Sequence, residues 1–313
     1  MFRALTVTNP RGEKLRLEIR RPELTGFNVM GIDGIGPVKA TISTSDIVTS
    51  DGVVISGNRV PQRDVTITMA YSPSPGISVE SLRHKSYKWF SVKEQLELEF
   101  ETDDRIARSK GVVESNEVAV FTKQEGSVIT VVCPDPWLHS SANGGKQISE
   151  FSSTKPAFHF PFQNEGLDVK TLVFGIIEHS TSKVVEYDGE AETGLVMTVE
   201  FHGPASGIEI ANRDNGQVVY IDTDKMSKMT DTGTGKPIGA VRAGDSVVIS
   251  SVRRDKYIVF VREGHRTNIL NAVNHGLNWP TLRKGYNNFA YTAVSGDTNI
   301  SVSLSNEVLF AGV

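Results

Sequence analysis

The sequence has a single cysteine, Cys133, set among Val131, Val132 and Pro134. One thiol excludes an intrachain disulfide and a cysteine-based zinc site. The simplest expectation is a chain made and folded in a reducing cytoplasm. No run of about 18 apolar residues appears, and Met1 leads straight into the strand-like FRALTVTN without a charged segment and apolar core behind it. Neither secretion nor membrane insertion is expected, so Asn299-Ile300-Ser301, a glycosylation acceptor by pattern, is a chance match. An excess of charge is also missing: 33 Lys and Arg against 37 Asp and Glu give a net charge of -4. That balance leaves no electrostatic footprint for nucleic acid or an anionic membrane, and stable nucleic-acid binding is not expected.

Catalytic constellations are missing as well. The seven histidines are scattered singly, with no H-x-x-x-H or H-E-x-x-H spacing, and no G-x-S-x-G elbow occurs. Glu97, Glu99 and Glu101, followed by Asp103 and Asp104, invite comparison with a paired-acid glycosidase. Such enzymes hold their carboxyls roughly 5 to 9.5 Å apart across a cleft. Acids two apart on one strand project side by side from a solvated face, and the expected role is a charged surface that keeps a strand from aggregating. No catalytic residue, metal ligand or cofactor site is expected.

What the sequence does contain is period-two alternation. Leu15, Leu17 and Ile19 alternate with Lys14, Arg16, Glu18 and Arg20; Val65, Ile67 and Met69 with Asp64, Thr66 and Thr68; Leu96, Leu98 and Phe100 with the glutamates. One apolar and one charged face is the signature of antiparallel sheets solvated on one side. A single helix is predicted after Ser78 as N-cap, with Glu80 in its first turn and Val79, Leu82, Trp89 and Phe90 directed to the N-terminal sheet. The second half repeats the strand pattern with no helix: Phe158, Phe160 and Phe162, then Leu195, Met197, Val199 and Phe201, then Tyr257, Val259 and Val261 beside Asp245 to Ser251. Many short strands between Gly, Asn and Asp turns predict a sandwich or jelly roll.

At 313 residues the chain is long enough for two domains with cores of their own. The polar, small-residue stretch SSANGGKQ between His139 and Glu150 reads as a linker, which gives domains 1–139 and 140–313. Trp137 follows Pro136 and Trp279 precedes Pro280. Either tryptophan could stack on a sugar, but both positions suit loop anchors better.

GIDGIGP, Gly31 to Pro37, has the spacing GxxGxG and precedes a strand. It is therefore a β turn and not a dinucleotide fingerprint, which needs GxGxxG opening a helix. The DGVVISGNR stretch, Asp51 to Arg59, reads as a loop outside the alternating strands. Its Val53, Val54 and Ile55 are candidates for a surface that a neighbour covers. Arg59 and Arg63 on the returning strand are candidates to pair with groups of an adjacent subunit.

This glycine-rich turn, the DG loop and the Arg-bearing strand start together resemble the N-terminal signature of the phage distal tail protein (Dit) family. CPDPWL (Cys133 to Leu138) is similar to the family's junction after the first domain, and GLVMTVEFHGP (Gly194 to Pro204) to its strand ending in Gly-Pro. GLNWPTLRKGYNNFAYTA (Gly276 to Ala293) and LFAGV resemble its closing hairpin region. The stretch around 225–242 departs from the pattern. The resemblance implies a mainly β protein, with a β-sandwich-like N-terminal domain bearing one α-helix and a galectin-like jelly-roll C-terminal domain. It further implies a non-enzymatic component of a virion tail tip or baseplate. The implied assembly is a homo-oligomer, a hexameric ring of identical subunits joining the tail tube protein to the tail-associated fibre or lysin protein, with a channel for the tape measure protein and DNA. The alternative is a carbohydrate-binding adhesin whose second domain recognises a host-surface saccharide.

Overall fold

The computed structural model describes residues 1–46, 51–120, 122–156, 175–179 and 181–313. They form two compact units, Met1–Gly145 together with Leu309–Val313, and Lys146–Val308. This division differs from the 139/140 boundary read from the linker composition. The 309–313 segment belongs with the first unit, because its short strand pairs there.

In the first unit the strands are β1 (Phe2–Thr8), β2 (Lys14–Glu18), β3 (Phe27–Asp33), β4 (Thr41–Asp46), β5 (Val53–Arg59) and β6 (Arg63–Tyr71). Helix α1 (Val79–Trp89) follows, then β7 (Gln95–Thr102), β8 (Ile106–Ala119), β9 (Gly126–Cys133) and β10 (Leu138–Ser140). The second unit contributes β11 (Lys146–Glu150), β12 (Ser152–Pro156), β13 (Gly175–His179), β14 (Ser182–Tyr187), β15 (Thr193–Phe201), β16 (Ser206–Asn212) and β17 (Gln217–Ile221). After α2 (Thr223–Ser227) come β18 (Ser246–Val252), β19 (Asp255–Arg262), β20 (His265–Asn268), β21 (Thr281–Leu282), β22 (Gly285–Ser295) and β23 (Ile300–Glu307). The strand of the returning segment is β24 (Leu309–Phe310).

The first unit is built on one antiparallel sheet in the order β2-β1-β7-β8-β9-β6-β3, with β10 joining β8 and β24. Alternation does what period two requires: Leu15, Leu17, Val65, Ile67, Met69, Leu96, Leu98 and Phe100 are all buried in one core. Strand β8 pairs with β7 through its first half and with β9 through its second. Its register shifts between Val113 and Ser115, where the strand bends from one neighbour to the other. Helix α1 starts where the Ser78 hydroxyl accepts from the Ser81 amide at 3.1 Å. Leu82 and Ser86, with Phe90 following, make its buried stripe, while Trp89 is half-buried against the same core.

The second unit is a sandwich of two antiparallel sheets, β11-β23-β15-β18-β19-β20 with β21 on β15, and β14-β22-β16-β17. Inward residues of both sheets share one core. Across it Phe151 meets Tyr291 edge to face at 5.5 Å. Two expectations change here. Strand β19 buries Ile258 and Phe260, so Tyr257, Val259 and Val261 line the opposite face. The half expected to lack helix carries α2, because Asp222 caps it by accepting from the Asp224 and Lys225 amides. The aromatic run Phe158, Phe160 and Phe162 lies outside the described residues.

The 225–242 stretch is held by buried charge. Arg262 donates to both carboxylate oxygens of Asp245, at 2.9 and 2.6 Å, and to the carbonyls of Ile238 and Ala240. The Asp245 pairing raises the guanidinium's pKa. Two of the four hydrogen bonds from this side chain thus reach carbonyls of the irregular connection, and the other two hold Asp245 just beyond it.

Candidate assembly site

Strands β4 and β5 pair antiparallel as a two-stranded ribbon that, among the described residues, joins no other sheet. Their register runs from Thr41↔Arg59 to Asp46↔Val53, with a shift between Ser43 and Thr44 that leaves Ser56 as the extra residue. The Ser56 hydroxyl donates to the Ser43 carbonyl at that bulge. The stretch read as a loop is therefore a strand. It escapes the alternation test because Val53, Val54 and Ile55 place apolar groups on both faces of a ribbon that has no buried face.

Every residue of both strands is exposed. Val53, Val54 and Ile55 are 54%, 51% and 63% accessible, and Ile42 on the facing strand is 58% accessible. A lone two-stranded hairpin is marginal in water, and an open apolar ribbon templates pairing unless something covers it. Arg59 is exposed at the end of β5, opposite Thr41.

Arg63 lies elsewhere. It is 1% exposed and directs its guanidinium into the first unit. Nε donates to Pro136 O at 2.9 Å, Nη1 to Gly34 O at 2.5 Å and Gly36 O at 2.7 Å, and Nη2 to Ala311 O at 2.7 Å. Four of the five N–H donors are used on main-chain carbonyls, a fork that an ammonium group cannot reproduce. Burial pulls the pKa of Arg63 down, against the opposing effects of Cys133 and Asp135. No guanidinium surface is left for a neighbouring subunit, so Arg63 drops out of the candidate interface while Arg59 stays in it.

The roots of the hairpin are closely packed. Gly34 has φ +81°, and a Cβ there would fall 1.9 Å from Asp64 O, so the GIDGIGP turn needs glycine at that position. At the surface of β7, Glu101 pairs with Arg16 at 2.6 Å and Glu97 with Lys110 at 3.6 Å. These acids form a charged ladder with basic partners on the sheet's exterior. Trp279 packs against the second core under Lys256, whose Nζ is 5.5 Å from the ring centroid. Trp137 is half-buried beside Asp135, which accepts its amide. Among the described residues no group of His, Cys, Asp and Glu is placed to hold a metal ion, and no helix is long and apolar enough to cross a membrane.

Fold and site together define a class: a mainly β chain of two antiparallel units with an exposed hairpin arm rooted in a glycine turn. One solved structure with this fold is the SPP1 Dit protein (gp 19.1), presented as a paradigm of the hub adsorption apparatus in phages infecting Gram-positive bacteria. It matches with TM-score 0.62 at 13% identity, over 97% of this chain and 98% of that one. At that identity the likeness establishes the fold. Two structures of the phage P2 baseplate in its activated conformation, with Ca and with Sr, align at TM-scores of 0.43 and 0.42 and 10% identity. They cover 97% and 96% of this chain and 98% and 97% of theirs. No family model and no curated protein matches the chain.

Proposed function

We propose that this chain is a structural hub protein of a phage tail tip, working as a ring of identical subunits and without catalysis. The observation that carries the reading is the β4–β5 arm: seven residues of β5 in a row are exposed, three of them apolar, on a ribbon with no core of its own. A head-to-tail contact in which the arm of one subunit is covered by the next closes into a ring when its rotation fits a point group. The near full-length match to a hub protein fold supports the same reading. In this role the ring, hexameric by the resemblance, joins the tail tube protein to the tail-associated fibre or lysin protein. Its opening passes the tape measure protein and then DNA, which the chain's balanced charge would not retain.

Negative-stain imaging and light scattering of the purified protein over a range of concentrations test this. Rings are expected, with a stable contact burying roughly 1,600 Å² in total. A monomer at every concentration, together with no ring density in assembled particles, would reject it. Binding of the soluble protein to purified cell-wall polysaccharide in the absence of rings would favour the adhesin instead.

A further inference from the structure

The 309–313 segment meets the first unit where the arm is rooted. Strand β24 pairs with β10, placing Leu138 opposite Phe310 and His139 opposite Leu309. Beyond it Ala311 O accepts from Arg63, Gly312 O accepts from Arg105 Nη1 at 3.0 Å, and the Val313 amide donates to Ile35 O at 3.1 Å. The Arg105 guanidinium also stacks 4.4 Å from the Phe310 ring centroid. Gly312 lies so close to the turn that a Cβ on it would come within 3.0 Å of Ile35 O and 3.1 Å of Gly36 Cα.

Those contacts converge on both ends of the arm. Its entry runs out of Gly34, Ile35 and Gly36, and its exit runs into Arg63. Among the described residues, the two strands of the arm pair only with each other. A two-stranded ribbon outside the larger sheets takes its direction from the residues that flank it, and here those are the glycine turn and Arg63.

We propose that residues 309–313, acting with Arg63, are a clasp that sets the direction of the assembly arm. The segment seals the glycine turn from one side while the Arg63 fork ties that turn, the Pro136 junction and Ala311 into one knot. The ring-forming role of the arm is taken from the reading above, and the clasp adds to it a set of positioning residues at the arm's roots.

The test is a distance measurement on the monomer. Spin labels are placed at Ser45→Cys on the arm and Glu117→Cys on β8, both exposed positions, with the buried Cys133 left in place. The full chain is expected to give one narrow distance by pulsed electron resonance. A chain ending at Val308, and the milder Gly312→Val, are expected to lose that single distance and give a broad distribution. Should the truncated chain fail to fold, Gly312→Val decides, with its urea midpoint as a check on folding. An unchanged narrow distance in a folded variant overturns the clasp, even where its rings are lost. If the unaltered chain forms no rings, the proposed function falls, and the distance measurement still decides the clasp.

Discussion

At the scale of single residues, the two arginines that flank the arm's return have opposite fates. Arg63→Ala strips a buried charged donor from four carbonyls. With hydrogen bonds to charged groups worth about 1.5 to 3 kcal/mol each and not additive, a loss of about 3 kcal/mol or more is expected in urea unfolding of the full chain. Arg63→Lys should recover only part of it. Arg59→Ala should leave stability within about 0.5 kcal/mol and weaken ring formation; equal stability losses for the two would contradict the geometry. The burial of Arg63 was not legible in the sequence, since its partners stand 73, 29, 27 and 248 positions away. The type and position of the residue were legible, and only the fold could say which groups it would meet. A third residue gives a pH prediction. Asp103 accepts from the Met1 amine at 2.7 Å and from Arg3 at 2.6 Å, and these bonds hold its pKa down to about 2. The folded value lies below the unfolded one of about 3.9. The stability it contributes is therefore present above about pH 4 and is lost as pH falls towards 2. Asp103→Asn should flatten that part of an acid denaturation curve; an unchanged curve would show the pair to be fully screened.

At the scale of elements, the arm is the place where local pattern and structure part company. Strands with a buried face, such as β6, β7 and β15, were readable because water on one side and core on the other impose the period of two. Helix α1 was readable from Ser78 and its apolar spacing. The Val53–Val54–Ile55 run has no such partition, so its strand character comes from cross-strand bonding that single-residue pattern does not encode. The same reasoning predicts its response to substitution. Ile55→Ser or Val54→Lys exposes no core in the subunit, so the thermal midpoint should stay where it is. If a neighbour covers these half-exposed side chains, each contributes on the order of 1 kcal/mol to association, and each change should weaken self-association about tenfold when it also buries a polar group. Sedimentation equilibrium reads this directly. Variants that lose stability but not association would assign the arm to the fold of its own subunit.

At the scale of the whole molecule, the first crossing between units falls after Gly145, inside the small, polar stretch whose composition suggested a linker. The second crossing, between Val308 and Leu309, left no mark, because LFAGV follows β23 with only Val308 between them and no linker-like composition, and it differs in what it pairs with. The fragment 146–308 carries its whole sandwich core and is expected to fold alone, with a β circular dichroism spectrum and one cooperative transition. A fragment of 1–145 lacks β24 and the Ala311 carbonyl and should melt below the intact chain. An unfolded 146–308 would show the sandwich to depend on the rest. Because unit two is spliced into unit one, the polypeptide passes between them along two separate covalent tethers. A protease that cuts once at the exposed Ala142 or Gly144 would leave the sandwich attached through its other tether, so release of that unit takes a second cut.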